Sequence, residues 1–297
     1  MKKITKRFLK DCALLCASFL FLGSPAMASQ AASVLTPQAS GTTAYNSAKA
    51  SIDVSNASEG YVMIKYTGTN PKVKIQITKN TTYTYDIANT GSYVTFPFSE
   101  GSGTYTIKIY ENVSGTSYAQ AASQSVSVSL SNELSPFLYP NQFCDFNAGS
   151  AVVAASDTLA AGITDPVVKV SAVYDYVVTN FTYDYNKAAT VRAGYLPVVD
   201  STLASKTGIC FDYAAVMTSM LRAQGIPTKL VIGYAGSVYH AWVSVYAQGQ
   251  GWIDNIIYFD GTSWKFMDPT FASSGGRSQE TQNYISNPAN YTAKFSY

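Results

Sequence analysis

Gly208-Ile209-Cys210-Phe211-Asp212-Tyr213-Ala214-Ala215-Val216-Met217-Thr218-Ser219-Met220-Leu221-Arg222-Ala223-Gln224-Gly225-Ile226-Pro227 reads as a turn, a helix and a stop. Thr207-Gly208 supplies the turn. Phe211, Ala214, Ala215, Thr218 and Leu221 recur at helical spacing and predict a helix from about Cys210 to Gln224. Gly225 caps it, and Pro227 prevents continuation. Alternating segments follow at 228–234, 240–247, 251–259 and 263–268, so one helix feeds an antiparallel meander. Residues 161–297 are therefore expected to form an α+β domain.

Upstream, the periodicity differs. Val73, Ile75 and Ile77 alternate with polar residues, as do Tyr105, Ile107 and Ile109, and Val126, Val128 and Leu130. Such alternation specifies strands with one buried face. Asn70-Pro71, Gly101-Ser102-Gly103 and Ser114-Gly115 separate them as turns. Six or seven short strands over 48–130 predict a small immunoglobulin-like sandwich, without the Cys…Trp…Cys pattern of antibody domains. Residues 131–160 read as a connector. Asp165-Pro166 then opens a second helix, with Val167, Val170, Val173, Tyr174 and Val177 on its buried stripe and an end near Asn180.

The N-terminus carries Lys2, Lys3, Lys6, Arg7 and Lys10, then an apolar stretch over 12–23 too short to span a bilayer, then Ala26-Met27-Ala28. This is the pattern of a cleaved export signal over 1–28, and it predicts a secreted protein without stable membrane insertion after cleavage. Residues 29–47 read as a flexible linker. The chain has 297 residues, 47% hydrophobic and 13% charged, which suits a packed protein rather than a disordered one. The signal holds five basic residues and one acidic, so its removal takes the counts from 20 and 18 to 15 and 17. A slightly acidic chain without a basic patch excludes nucleic acid as a partner.

Two cysteines, Cys144 and Cys210, remain beyond the signal. They either pair or keep a thiol for chemistry. Cys210 opens a helix, where the macrodipole and free N–H groups favour a thiolate and could hold an oxyanion. His240, the single histidine of the sequence, lies 30 residues on at the start of a strand. Histidine is the commonest general base near neutral pH. Asp268 lies 28 residues further, at a strand end stopped by Pro269. A meander would bring it beside His240 to fix the imidazole tautomer. Taken singly, each has a plainer reading: a core cysteine, a core histidine, an Asp-Pro turn.

The blocks Gly208-Ile209-Cys210, Arg222-Ala223-Gln224-Gly225-Ile226-Pro227, His240-Ala241-Trp242 and Asp268-Pro269-Thr270 resemble, in this order, those of the transglutaminase-like superfamily. The stretch from Tyr174 to Tyr185 resembles that family's approach to its core. The resemblance covers roughly residues 135–275. It implies a papain-like core with Cys210 as nucleophile, His240 as base and Asp268 as orienting acid, and acyl transfer through a Cys thioester. The segment between the histidine and aspartate blocks is longer than in the shortest members and holds Trp252 and Trp264. Gly208, Tyr183, Tyr185 and Trp242 are expected to line the oxyanion or substrate cleft. No acidic cluster resembles a calcium loop, and one histidine is too few for an ordinary zinc site, so no cofactor or metal is expected. The expected substrate is a protein or peptide, including cell-wall or surface polymers. Peptide hydrolysis is the first expectation, glutamine crosslinking the second, and a non-catalytic surface-binding module the third.

Overall fold

The computed structural model describes residues 34–254, 257–259, 264–266, 270 and 287–297. The stretch read as an export signal, over 1–28, and Asp268 lie outside the described residues. Residues 31–297 form one compact unit.

The N-terminal part is a sandwich of two four-stranded antiparallel sheets. Strands β1 (Ala44–Asn46), β2 (Ala50–Asp53), β3 (Tyr61–Tyr66) and β6 (Val94–Pro97) make one sheet, in the order β1-β2-β3-β6. Strands β4 (Val73–Thr78), β5 (Thr82–Ile87), β7 (Gly103–Ser114) and β8 (Ser117–Val128) make the other, in the order β5-β4-β7-β8. The alternating residues do what their period requires: Ile75, Ile77, Ile107 and Ile109 are buried between the sheets with Ile64 and Phe96. Strand β8 is longer than its alternation suggested. Its first half pairs with β7 where both are largely exposed, so no apolar period marks it. Strand β1 lies within the stretch read as linker.

The second part is α+β. Helix α1 (Ala151–Ala160) falls inside the stretch read as connector. Its buried stripe is interrupted by Ser156, whose hydroxyl donates to the Met220 carbonyl at 2.7 Å. That polar residue hid the helical period. Helix α2 (Pro166–Asn180) starts as expected, with the Asp165 side chain accepting from the Val167 N–H at 2.8 Å. Strand β9 (Thr182–Tyr183), α3 (Tyr185–Thr190), α4 (Val199–Ser205) and β10 (Thr207–Gly208) lead into α5 (Cys210–Ala223). Every residue of α5 from Asp212 to Ala223 is buried. Helices α1, α2 and α4 pack on it together with strands β11 (Thr228–Ala235) and β12 (Val238–Ala247), so it is a core helix rather than an amphipathic one.

The sheet beyond α5 departs from the expected meander. Its order is β13-β12-β11-β16, with β13 (Gly251–Ile253) on one edge and β16 (Tyr291–Ser296) returning from far along the chain to the other. Among the described residues, strands β14 (Ile257–Phe259) and β15 (Trp264–Phe266) pair only with each other, and β14 runs beside α2. Among the described residues β15 therefore does not extend the β12 sheet, contrary to the expected meander.

The R-x-x-G-I-P block has a structural meaning. Arg222 is almost fully buried, and its guanidinium ties four backbone or sulfur acceptors together. It donates to the Thr228 carbonyl at 2.7 and 2.9 Å, the Tyr297 carbonyl at 2.7 Å, the Tyr139 carbonyl at 2.5 Å and the Cys144 sulfur at 3.2 Å. Burial pulls its pKa down, and only charge-assisted hydrogen bonds satisfy it. Cys144 and Cys210 are both free, so no disulfide joins them.

Candidate active site

Cys210 occupies the first turn of α5, half-buried, with Ile209 as N-cap. The N–H groups of that turn have no acceptor within the helix and face the sulfur's end of the dipole. The turn is held from behind by Asp212, which is fully buried. Its carboxylate accepts from the Ile209 N–H at 2.8 Å, from Lys187 Nζ at 2.7 Å and from the Tyr195 hydroxyl at 2.5 Å. Lys187 also donates to the Tyr195 hydroxyl at 2.6 Å. Burial alone would lower the Lys187 ammonium, but its hydrogen bonds to Asp212 and Tyr195 outweigh that and raise it. The Tyr195 hydroxyl is raised by burial and then by its bond to Asp212. The sequence reading overlooked Asp212. Its signal was an acid at the third helical position, where a side chain can reach back to the N-cap N–H.

His240 is buried on β12, directly across the ladder from Gly233 of β11. The pairing of β11 with β16 shifts register between Ile232 and Gly233. A Cβ on Gly233 would lie 2.8 Å from the Trp242 ring and closer still to the Thr292 carbonyl, so the strand closes only around a glycine. Trp242 stacks against His240 at 6.3 Å between ring centres and 23° between planes.

Cys210 and His240 open into the same cavity, of about 730 Å³. Of the other expected cleft residues, Tyr183 lines it, held beside Gly208 by the parallel bridge of β9 with β10. Tyr185, Gly208 and Trp242 are not among its lining residues. Tyr185 points outward, 67% exposed, with its ring edge-on to Tyr183. Gly208 makes its close approach to Asp212 rather than to the cleft: a Cβ there would meet the Asp212 Cβ at 2.6 Å. Trp242 is 3% exposed and lies behind the histidine. Among the described residues no group of three His, Cys, Asp or Glu side chains could hold a metal ion, and no helix is long and apolar enough to cross a membrane.

A thiol at a helix N-terminus and an imidazole, sharing one cavity on a helix-on-sheet core, define a cysteine-enzyme scaffold. Residues 154–255 match the model of the transglutaminase-like superfamily. The chain is similar to the uncharacterized protein YebA of Bacillus subtilis, 35% identical over 29% of this chain and 14% of that protein. It is also similar to a protein-glutamine gamma-glutamyltransferase of Pseudomonas aeruginosa, 33% identical over 25% of this chain and 13% of that one. Each match spans about a seventh of the relative's length. A solved structure of a candidate cysteine protease from Cytophaga hutchinsonii aligns over 86% of this chain and 74% of its own, with 15% identity and a TM-score of 0.41.

Proposed function

We propose that this chain is an exported cysteine acyl-transfer enzyme that hydrolyses peptide or glutamine-type amides, with Cys210, His240 and Asp268 as its triad. The observation that carries the reading is the shared cavity: Cys210 at the N-terminal end of α5 and His240 on β12 both line it. In the proposed cycle His240 takes the Cys210 proton, and the sulfur attacks the amide carbonyl. The N–H groups of the first turn of α5 hold the oxyanion. His240 then returns the proton to the leaving amine or ammonia, and water attacks the thioester to free the acid. Asp268 would accept a hydrogen bond from the ring and fix its tautomer. We read the sandwich as immunoglobulin-like, because its chain crosses repeatedly between the two sheets.

A second reading, transamidation in which a lysine amine replaces water, is favoured by the glutamyltransferase relative. The test of the enzyme reading is alkylation by iodoacetamide near neutral pH. Rapid labelling at Cys210 that slows at least about tenfold in His240→Ala supports an activated thiol. Equal rates in the two proteins would sink it, and would favour a binding module on an enzyme fold. Incubation with a bacterial surface proteome, with and without an added amine, then separates the reactions. New peptide termini or deamidated glutamines mark hydrolysis; amine-tagged glutamines mark transfer.

A further inference from the structure

The cavity holding Cys210 is not built by the α+β part alone. One wall belongs to the sandwich: Thr82, Thr84, Tyr85 and Asp86 of β5 line it. Strand β5 ends its sheet, and its outer edge pairs with no strand among the described residues. On the facing side, residues 191–196 of the loop between α3 and α4 line the cavity. This loop abuts β5, since a Cβ on Gly194 would lie 3.3 Å from an Asp86 carboxylate oxygen. Arg192 of that loop lines the cavity, is exposed, and forms no ion pair among the described residues. The acid across from it is already matched, because Lys74 Nζ lies 2.7 Å from Asp86. Among the described residues, the rim of the cleft therefore carries a positive charge without an acidic partner, beside a strand edge that no other strand covers.

We propose that β5 and Arg192 form the substrate-recognition side of the cleft, and that the occupant is an extended peptide with an acidic side chain near the amide presented to Cys210. The peptide backbone runs along the open edge of β5, as added strands do. Thr82 and Thr84 leave room for its side chains, and Arg192 pairs with its carboxylate. The sandwich thus reads sequence rather than only tethering the enzyme. This inference takes from the proposed function only the identity of the reacting sulfur.

The test uses the full chain and two short peptides that carry a chloroacetamide in place of a glutamine side chain, one flanked by glutamates and one by lysines. The readout is the rate of Cys210 alkylation, in which the sulfur displaces chloride, divided by the rate with iodoacetamide. The acidic probe is expected to react at least about tenfold faster than the basic one, a preference that salt weakens. Arg192→Glu should reverse the order. Thr84→Trp should erase the advantage of both peptides over iodoacetamide. Equal rates for the two peptides, or a preference that survives Arg192→Glu, would overturn the proposal. Because Arg192 is exposed, its variant keeps the test decisive even if Thr84→Trp folds poorly. The catalytic reading fails separately, through iodoacetamide rates that ignore His240, and the peptide ratio still decides the recognition surface.

Discussion

At the scale of single residues, the site depends on small side chains as much as on reactive ones. Gly233 faces His240 across the ladder, lies under Trp242 and touches β16. Gly233→Ala should therefore destabilise the fold by about 1–3 kcal/mol, as overpacking of a closed site does, and shift the His240 ring. Thermal melts measure the first effect, and the His240 ring shifts in NMR spectra the second. The two residues that share the cavity stood out in the sequence because their positions are marked: one histidine, and a cysteine that opens a helix two residues after a glycine. Gly208 was legible as a glycine but not in its role, since spacing cannot say that its close neighbour is Asp212. Trp242 was expected in the cleft, but its ring stacks on His240 and does not line the cavity.

At the scale of elements, the N-terminus of α5 is braced by one buried carboxylate, Asp212. Asp212→Ala would leave the Ile209 N–H and the Lys187 ammonium without their buried acceptor. We expect a loss of about 2–4 kcal/mol in denaturant unfolding, together with slower Cys210 alkylation, because the turn that carries the sulfur loses its support. The same cluster sets an alkaline limit. Lys187 is raised above its ordinary 10.5 and Tyr195 above its ordinary 10.0. Above about pH 10 the folded chain thus binds more protons than the unfolded one, so stability falls as pH rises. The Lys187 contribution is whole below pH 10.5 and is lost as pH climbs through its folded value. Melting temperatures between pH 8 and 11.5 should decline less steeply in Lys187→Met than in the parent, from a lower start. An equal decline would show that Lys187 is not held as described. Helices α2 and α5 were readable from their caps and periods. Helix α1 was not, because Ser156 breaks its stripe, and β16 was not, because its partner lies some sixty residues away.

At the scale of the molecule, the two parts share a core. Tyr83 and Tyr85 of the sandwich meet Phe143, Phe295 and Tyr297 at ring distances of 5.3–5.7 Å, and Phe143 and Tyr297 pack at 4.5 Å. The buried apolar cluster runs without a break from Ile64 to Val245. The parent should therefore melt in one transition, followed equally by near- and far-ultraviolet circular dichroism. A chain lacking residues 34–130 should melt lower and bind a hydrophobic dye, since it would expose this aromatic seam. Two separate transitions in the parent would contradict the shared core. The sequence could mark where period two gives way to period 3.6. It could not show the seam, because Tyr83 and Tyr297 are more than two hundred residues apart and no local pattern links them.

The pairing of Val231 with Ser296 has a consequence for synthesis. Strand β11 keeps a bare edge until residues 291–296 have been made, so the α+β part cannot close its sheet before then. An incomplete product that ends before β16 would present that edge to other chains, and is the species we expect to find in inclusion bodies.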